Sequence, residues 1–301
     1  MLPVREGMGN IIEALRPAIM KPAVTNEVLR EAPMAEMAAE EVIRRTDERL
    51  VKSGIAGLDT VLGGGIPEKH IVLVTGGPGS GKTTFGLQFV ANGARHHASR
   101  GLFISFEQPK DEILEEFLQF GWGLQELEKE DKLRIVSFAG TSLHMSQIWN
   151  EIEREINSFH PDRLVIDSID ALSVHLDLMT SVEILELIGV DSKQAGFMPT
   201  GDDVKRRTLA ELFKRLKAFR FISIVIAERL EYTGALSRDG ISEFLADGVI
   251  VINYAPVRDN SFATIQVRKM RGVKHKRQEF KTILRDDGFS VNTKEVRFPV
   301  D

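Results

Sequence analysis

From Ser53 onward the chain alternates short apolar runs with longer stretches whose apolar residues recur every three or four positions. The runs are "HIVLVTG", "GLFISFE", "KLRIVSF", "RLVIDS" and "FISIVIAERL". Between them stand "TTFGLQFVANGARHHA", "KDEILEEFLQFGW", a segment around "SQIWNEIEREINSF", and "LAELFKRLKAF". Apolar runs of this kind predict strands buried on both faces, and the helical spacing between them predicts helices that cover those faces, so the runs form a parallel sheet. Three further runs, "DGVIVINYA", "FATIQVRKM" and "EFKTILRDDGFSV", follow one another closely and predict antiparallel additions. The expected fold is α/β, with a mostly parallel central sheet flanked by helices and antiparallel C-terminal strands.

Two segments depart from this alternation. Residues 1–46 show helical spacing in "NEVLREAPMAEMAAEEVIRR", where Val28, Leu29, Met34, Met37, Ala38, Val42 and Ile43 form an apolar stripe. We expect a helical extension there, packed on the main domain, residues 47–301, or on a neighbouring subunit. The stretch from Leu176 to Arg207 has mixed signals and a Gly-, Pro- and Asp-rich end, and reads as a partly mobile insertion after the fourth strand.

Composition narrows the function classes. The formal charge is -5, which excludes a global positive field that would draw the chain onto nucleic acid or anionic lipid. The chain has no cysteine, so disulfides, thiolate metal sites and cysteine nucleophiles are excluded, as suits a cytoplasmic protein. The opening residues carry charges and a proline where a secretory signal needs an apolar core, and no run approaches the roughly 18 apolar residues that span a bilayer.

Chemistry concentrates in three places. "GGPGSGKT" places Gly76, Gly81, Lys82 and Thr83 at the G-x-x-x-x-G-K-[ST] spacing, directly after an apolar run and before a helical pattern. Glycines in such a loop let backbone N–H groups turn onto phosphates, the lysine supplies a charge to the β and γ groups, and the hydroxyl ligates magnesium. The candidate nucleotide contacts are Gly79, Ser80, Gly81, Lys82, Thr83 and Thr84, with a nucleotide and Mg2+ as the ligands. In "RLVIDS" three apolar residues lead to Asp167 at the tip of a buried strand, where a carboxylate needs a cationic or metal partner. In "FISFEQPKDE" Glu107 and Gln108 fall at a strand's carboxyl end, where ligands sit in parallel sheets, and a carboxylate there can orient a water for attack on the γ-phosphate. Thr83, Asp167 and Glu107 are the candidate metal-side residues.

These elements together resemble the RecA-fold ATPases, and the resemblance sharpens to the KaiC family. It is carried by "SGIAGLDTVLGGGIPEKHIVLVTGGPGSGKTTFGLQFVANGA", "FEQPKDEILEEFLQFGW", "AERLEYTGALSRDGISEFLADGVIVI" and "VRKMRGVKHKRQEF", and it covers residues 47 to 293. The resemblance implies a homo-oligomeric ring, a hexamer, with ATP between subunits. It implies that the segment Lys269, Met270, Arg271, Gly272 reaches the neighbour's nucleotide with His275 and Asp286 nearby, and that Gln119 lies on the base and ribose side. The family pairs two glutamates where this chain has Glu107 and Gln108, so slower hydrolysis is expected. The segment "LEYTGALSRDG" is closer to the family's non-phosphorylated domain, and Thr233 and Ser237 are read as turn residues.

The basic run "VRKMRGVKHKR" also invites a nucleic-acid reading. It has no aromatic residue to stack on bases, and alternation along a strand would set Arg268 and Met270 on one face and Lys269 and Arg271 on the other. Lys269 and Arg271 are therefore assigned to the nucleotide interface, and Lys274, Lys276 and Arg277 to a solvated face. Two functions follow: an ATPase whose turnover rearranges a ring, or an ATP-loaded regulatory or DNA-repair-associated binding module with negligible hydrolysis. No motif names a client protein.

Overall fold

The computed structural model describes residues 50–172, 201–230, 234–257 and 260–295. A two-stranded ribbon pairs β1 (Leu50–Val51) with β2 (Ile66–Pro67) around α1 (Leu58–Leu62). The strands of the main sheet are β3 (Ile71–Gly76), β4 (Gly101–Ser105), β5 (Leu133–Ser137), β6 (Arg163–Asp167), β7 (Ile222–Glu228), β8 (Gly248–Val257), β9 (Asn260–Met270), β10 (Glu279–Arg285) and β11 (Gly288–Glu295). Their order across the sheet is β11-β10-β9-β8-β3-β7-β6-β4-β5. From β8 to β5 every pairing is parallel, and β9, β10 and β11 extend the other edge antiparallel.

Side chains alternate between two apolar layers along each central strand. In β3, Val72 and Val74 enter the layer under α2 (Lys82–His96), while Ile71 and Leu73 enter the layer under α5 (Met145–Phe159) and α6 (Gly201–Ala218). Both layers are lined by buried apolar side chains, which is why these strands carry no polar alternation in sequence. The helices α3 (Lys110–Glu116) and α4 (Leu124–Lys129), joined through a 3-10 turn at Phe117–Phe120, complete the first layer beside β5.

Three expectations are corrected. The run beginning "DGVIVINYA" is not an antiparallel addition: β8 lies parallel to β3, and antiparallel pairing starts with β9. "EFKTILRDDGFSV" is two strands, a hairpin turning at Asp286 and Asp287. The end of the expected insertion is helical from Gly201, because Leu209, Leu212, Phe213 and Leu216 bury one stripe of α6 in the second layer. The rest of that insertion, the expected extension over 1–46 and Thr233 lie outside the described residues. No helix among the described residues is long and apolar enough to cross a membrane.

One buried cation fastens α2 to the ribbon. Arg163 is fully buried, and its guanidinium donates to the carbonyls of Phe89 (3.0 Å), Lys52 (2.9 Å) and Ser53 (3.3 Å) and stacks on the Phe89 ring. Burial lowers its pKa to about 10, which leaves it charged at neutral pH. Gly93 makes the space: a Cβ there would lie 2.4 Å from Arg163 Nε. Gly to Ala in a helix interior ordinarily gains about 1 kcal/mol, but the anchored guanidinium cannot retreat without losing its carbonyl partners. Gly93→Ala is therefore expected to lower unfolding stability by about 2 kcal/mol. A reduced denaturant midpoint at unchanged slope checks it, and a raised midpoint would contradict it.

Candidate active site

The loop after β3 is set by its glycines. Gly79 and Gly81 have φ of +68° and +88°, values other residues adopt only under strain, and α2 starts immediately at Lys82. A Cβ built on Gly79 would meet no atom within 4 Å, so the loop opens outward rather than onto packed protein. The first-turn N–H groups of α2 and the positive end of its dipole point into this concavity, which suits an anion. Lys82 Nζ donates to the Gly77 carbonyl (2.8 Å), curled over the loop. Burial lowers its pKa, against the pull of Glu228, Asp167, Glu107 and Asp170. Ser80 is 3% exposed, and its buried hydroxyl has no hydrogen-bond partner among the described residues.

The three sequence-predicted anchors meet at the carboxyl ends of β3, β6 and β4. Thr83 hydrogen-bonds Asp167, a residue only 4% exposed. Burial, helped by the Glu107 charge and opposed by the Thr83 hydrogen bond and the Lys82 charge, pushes the pKa of Asp167 up to about 7. Glu107 is exposed and accepts a hydrogen bond from Ser168 Oγ. Lys82, Thr83, Asp167, Ser168 and Glu107 thus form a continuous set. Its hard oxygen donors fit Mg2+, which typically takes one or two protein oxygens and completes its shell from phosphate and water. No cluster of three or more His, Asp or Glu that could hold a metal ion occurs among the described residues. Gln108 turns to Glu116, donating from Nε2 to Oε2 (2.8 Å).

Sequence reasoning missed Ser168, Asp170 and Glu228. Glu228 ends β7 in register with Gly76, and its N–H donates to Asp170, whose pKa burial raises to about 6. A signal for Glu228 was present, since "FISIVIAE" ends at a strand's carboxyl end as Glu107 does. The remaining predicted nucleotide contacts are more distant. Asp286 is exposed at the β10–β11 turn. That hairpin is held beside α2 by Gln88, which clasps the Phe289 backbone through N (2.6 Å) and O (3.0 Å), and by the edge-on contact of Phe289 with Phe85. Trp122 Nε1 donates to the Asp287 carbonyl (3.0 Å), tying the segment that carries Gln119 to the same hairpin. Gln119 itself is exposed and donates to the Glu116 carbonyl (3.0 Å).

Lys269 and Arg271 are not brought to this loop. Asp247 N donates to Ile71 O (2.8 Å) and Arg271 N to Asp247 O (3.0 Å), which sets Arg271 level with the first residue of β3. The loop follows its last, Gly76, about 16 Å away at a strand's rise per residue. That separation exceeds the reach of an arginine side chain. Arg271 Nη1 donates to Asp247 Oδ1 (2.8 Å), and Lys269 Nζ to the carbonyls of Ala246 (2.6 Å), Glu243 (3.1 Å) and Phe244 (3.4 Å) at the end of α7 (Ser242–Leu245). The expected alternation fails here. Register shifts between Val249 and Ile250, so one extra residue enters β9 near Arg268, and Met270 rejoins Ile265 and Val267 in the core while Arg268 stays exposed. The Met270 side chain thus packs in the core, 4% exposed, instead of sharing the exposed face of Arg268. His275 is partly buried, with neither ring nitrogen partnered among the described residues, whereas Lys274, Lys276 and Arg277 are exposed as expected. Ser237 is buried and donates to Asp239 and Glu243, so a phosphate on it would face two carboxylates.

Comparison with known proteins follows the same outline. Two circadian clock oscillator proteins KaiC, from Parasynechococcus marenigrum and Synechocystis, are 29% identical over 247 and 250 residues. The alignments take in 79% and 83% of this chain but only 44% and 45% of theirs, so the chain spans less than half the length of these relatives. The crystal structure of a KaiC-like protein from the hyperthermophilic archaeon Pyrococcus horikoshii superposes with a TM-score of 0.66 at 31% identity, covering 81% of this chain and 99% of that one. The sequence profile described as "ATPase: KaiC" matches residues 51–190 and 177–296. With its mostly parallel α/β sheet, its phosphate-type loop and these matches, the chain belongs to the KaiC family of RecA-fold ATPases.

Proposed function

We propose that the chain binds ATP in the loop after β3 and hydrolyses it, each site being completed by a neighbouring copy in a ring of six. The observation that supports this most is the division of charged groups: the acceptor-side set lies at one end of the sheet and Lys269 and Arg271 at the other. A head-to-tail ring brings those two ends together, and a single chain does not.

In this reading the N–H groups of Gly79 to Thr84 receive the phosphates, and Lys82 leaves the Gly77 carbonyl for the β and γ groups. Thr83 and Asp167 hold Mg2+, with Glu107 linked to them through Ser168; the ion, when bound, neutralises charge on the phosphate oxygens. Glu107 orients the attacking water and takes its proton. The neighbour's Arg271 and Lys269 face the charge that develops on the transferring group. Gln119 lies on the base and ribose side, and His275 and Asp286 join Lys269 and Arg271 on the chain that reaches across. The protein acts in the cytoplasm, turnover serves to rearrange the ring, and a client protein docks on the 1–46 extension or on the insertion beginning at Leu176. Nucleic acid is not the expected partner, given the charge of -5.

Removing the Lys82 ammonium tests the binding step. Lys82→Ala is expected to weaken Mg·ATP binding by at least about tenfold in calorimetry, the loss of charge-assisted hydrogen bonds to phosphate. Unchanged affinity would place the nucleotide elsewhere.

A further inference from the structure

We infer that Asp247 is a positioning residue for hydrolysis, mounting the Arg271 guanidinium so that it faces the nucleotide of the adjoining copy; the inference rests on the inter-subunit reading above. Asp247 lies between α7 and β8, and its side chain is only 12% exposed. The core holds it from two sides: Oδ2 accepts from Ile71 N (3.2 Å), and its own N–H donates to Ile71 O (2.8 Å). From that fixed point it takes Arg271 twice, the backbone N–H on its carbonyl (3.0 Å) and Nη1 on Oδ1 (2.8 Å). Arg271 follows the end of β9, where a side chain of such length would otherwise sample many rotamers. With backbone and one end of the guanidinium tied to a single residue on the central strands, the fork is restricted, yet the side chain stays 53% exposed and so projects outward.

Electrostatics point the same way. Lys217 Nζ shares Oδ1 (3.0 Å), and Lys269 stands close by on the carbonyls ending α7. Two cations therefore share one carboxylate with a third close by, and without that carboxylate they repel one another and Arg271 loses its fixed direction. A displacement of about 1 Å in a group that acts at the transition state costs up to a hundredfold in rate.

The test is ATP turnover by the full chain, measured with radiolabelled ATP so that slow variants remain measurable, in the wild-type and Arg271→Ala backgrounds. Asp247→Asn is nearly isosteric and is expected to lower kcat by about tenfold or more, to leave KM within about threefold, and to cause no further loss when Arg271 is already alanine. Asp247→Glu, which keeps the charge but moves it by one methylene, is expected to show the same pattern in weaker form, and it serves if the asparagine variant does not fold. Lys217→Met touches the same carboxylate without touching Arg271 and is expected to change kcat less than about twofold. An unchanged kcat in both Asp247 variants, an equal loss in the two backgrounds, or an equal loss with Lys217→Met would overturn the inference. Should Arg271→Ala itself turn over normally, the inter-subunit reading falls with it; should Arg271→Ala be crippled while the Asp247 variants are not, only this inference falls.

Discussion

Arg271→Ala is expected to reduce ATP turnover by about a thousandfold while ATP affinity stays within a few-fold of wild type, the signature of a cation used in the transition state rather than in binding. The size follows from placement. Arg271 stands level with the start of β3, so its loss leaves its own chain's loop, with Lys82, Thr83 and Asp167, untouched. On the inter-subunit reading, what disappears is the charge offered to the neighbour. Lys269 shares that end but is already engaged by three carbonyls, and burial followed by the Arg271 charge lowers its pKa. Its removal mixes a catalytic with a local structural loss, which makes Arg271 the cleaner probe. Steady-state phosphate release at saturating ATP measures the effect, and a kcat within tenfold of wild type would remove Arg271 from the chemistry.

Glu107→Gln is expected to depress kcat by about a hundredfold or more with nearly unchanged ATP affinity. Glutamine keeps the size of the side chain and can still accept from Ser168 Oγ, but it cannot take a proton from water. The adjoining Gln108 is no substitute base, being an amide engaged with Glu116. Calorimetry and single-turnover kinetics separate the two effects. A raised KM at unchanged kcat would make Glu107 a binding group only.

The loop was legible in the sequence because its chemistry is local: glycines, lysine and hydroxyl follow one another between a strand and a helix. Asp167 and Glu107 were legible because each ends an apolar run. Glu228 also ends an apolar run, so that part of its signal was present; what the sequence does not show is that β7 lies next to β3 and brings it beside the loop, a pairing between residues far apart in the chain. Met270 was misplaced for a different reason: period-2 alternation holds only in an unbroken strand, and the shift opposite Val249 and Ile250 breaks it. The β10–β11 hairpin has a sequence signal in Asp286 and Asp287 followed by Gly288, a polar break between two apolar runs, which a reading of the whole stretch as one run passes over.

The central claim is that one active site is built from two chains, and mixing two inactive variants tests it most directly. Arg271→Ala chains keep an intact loop, and Lys82→Ala chains keep an intact Arg271, so a mixed ring contains junctions where both sound halves meet. Under conditions that let subunits exchange, the mixture is expected to recover part of the wild-type ATPase rate, although neither variant alone exceeds its own residual activity. No recovery in rings shown by native mass measurement to contain both chains would contradict the claim.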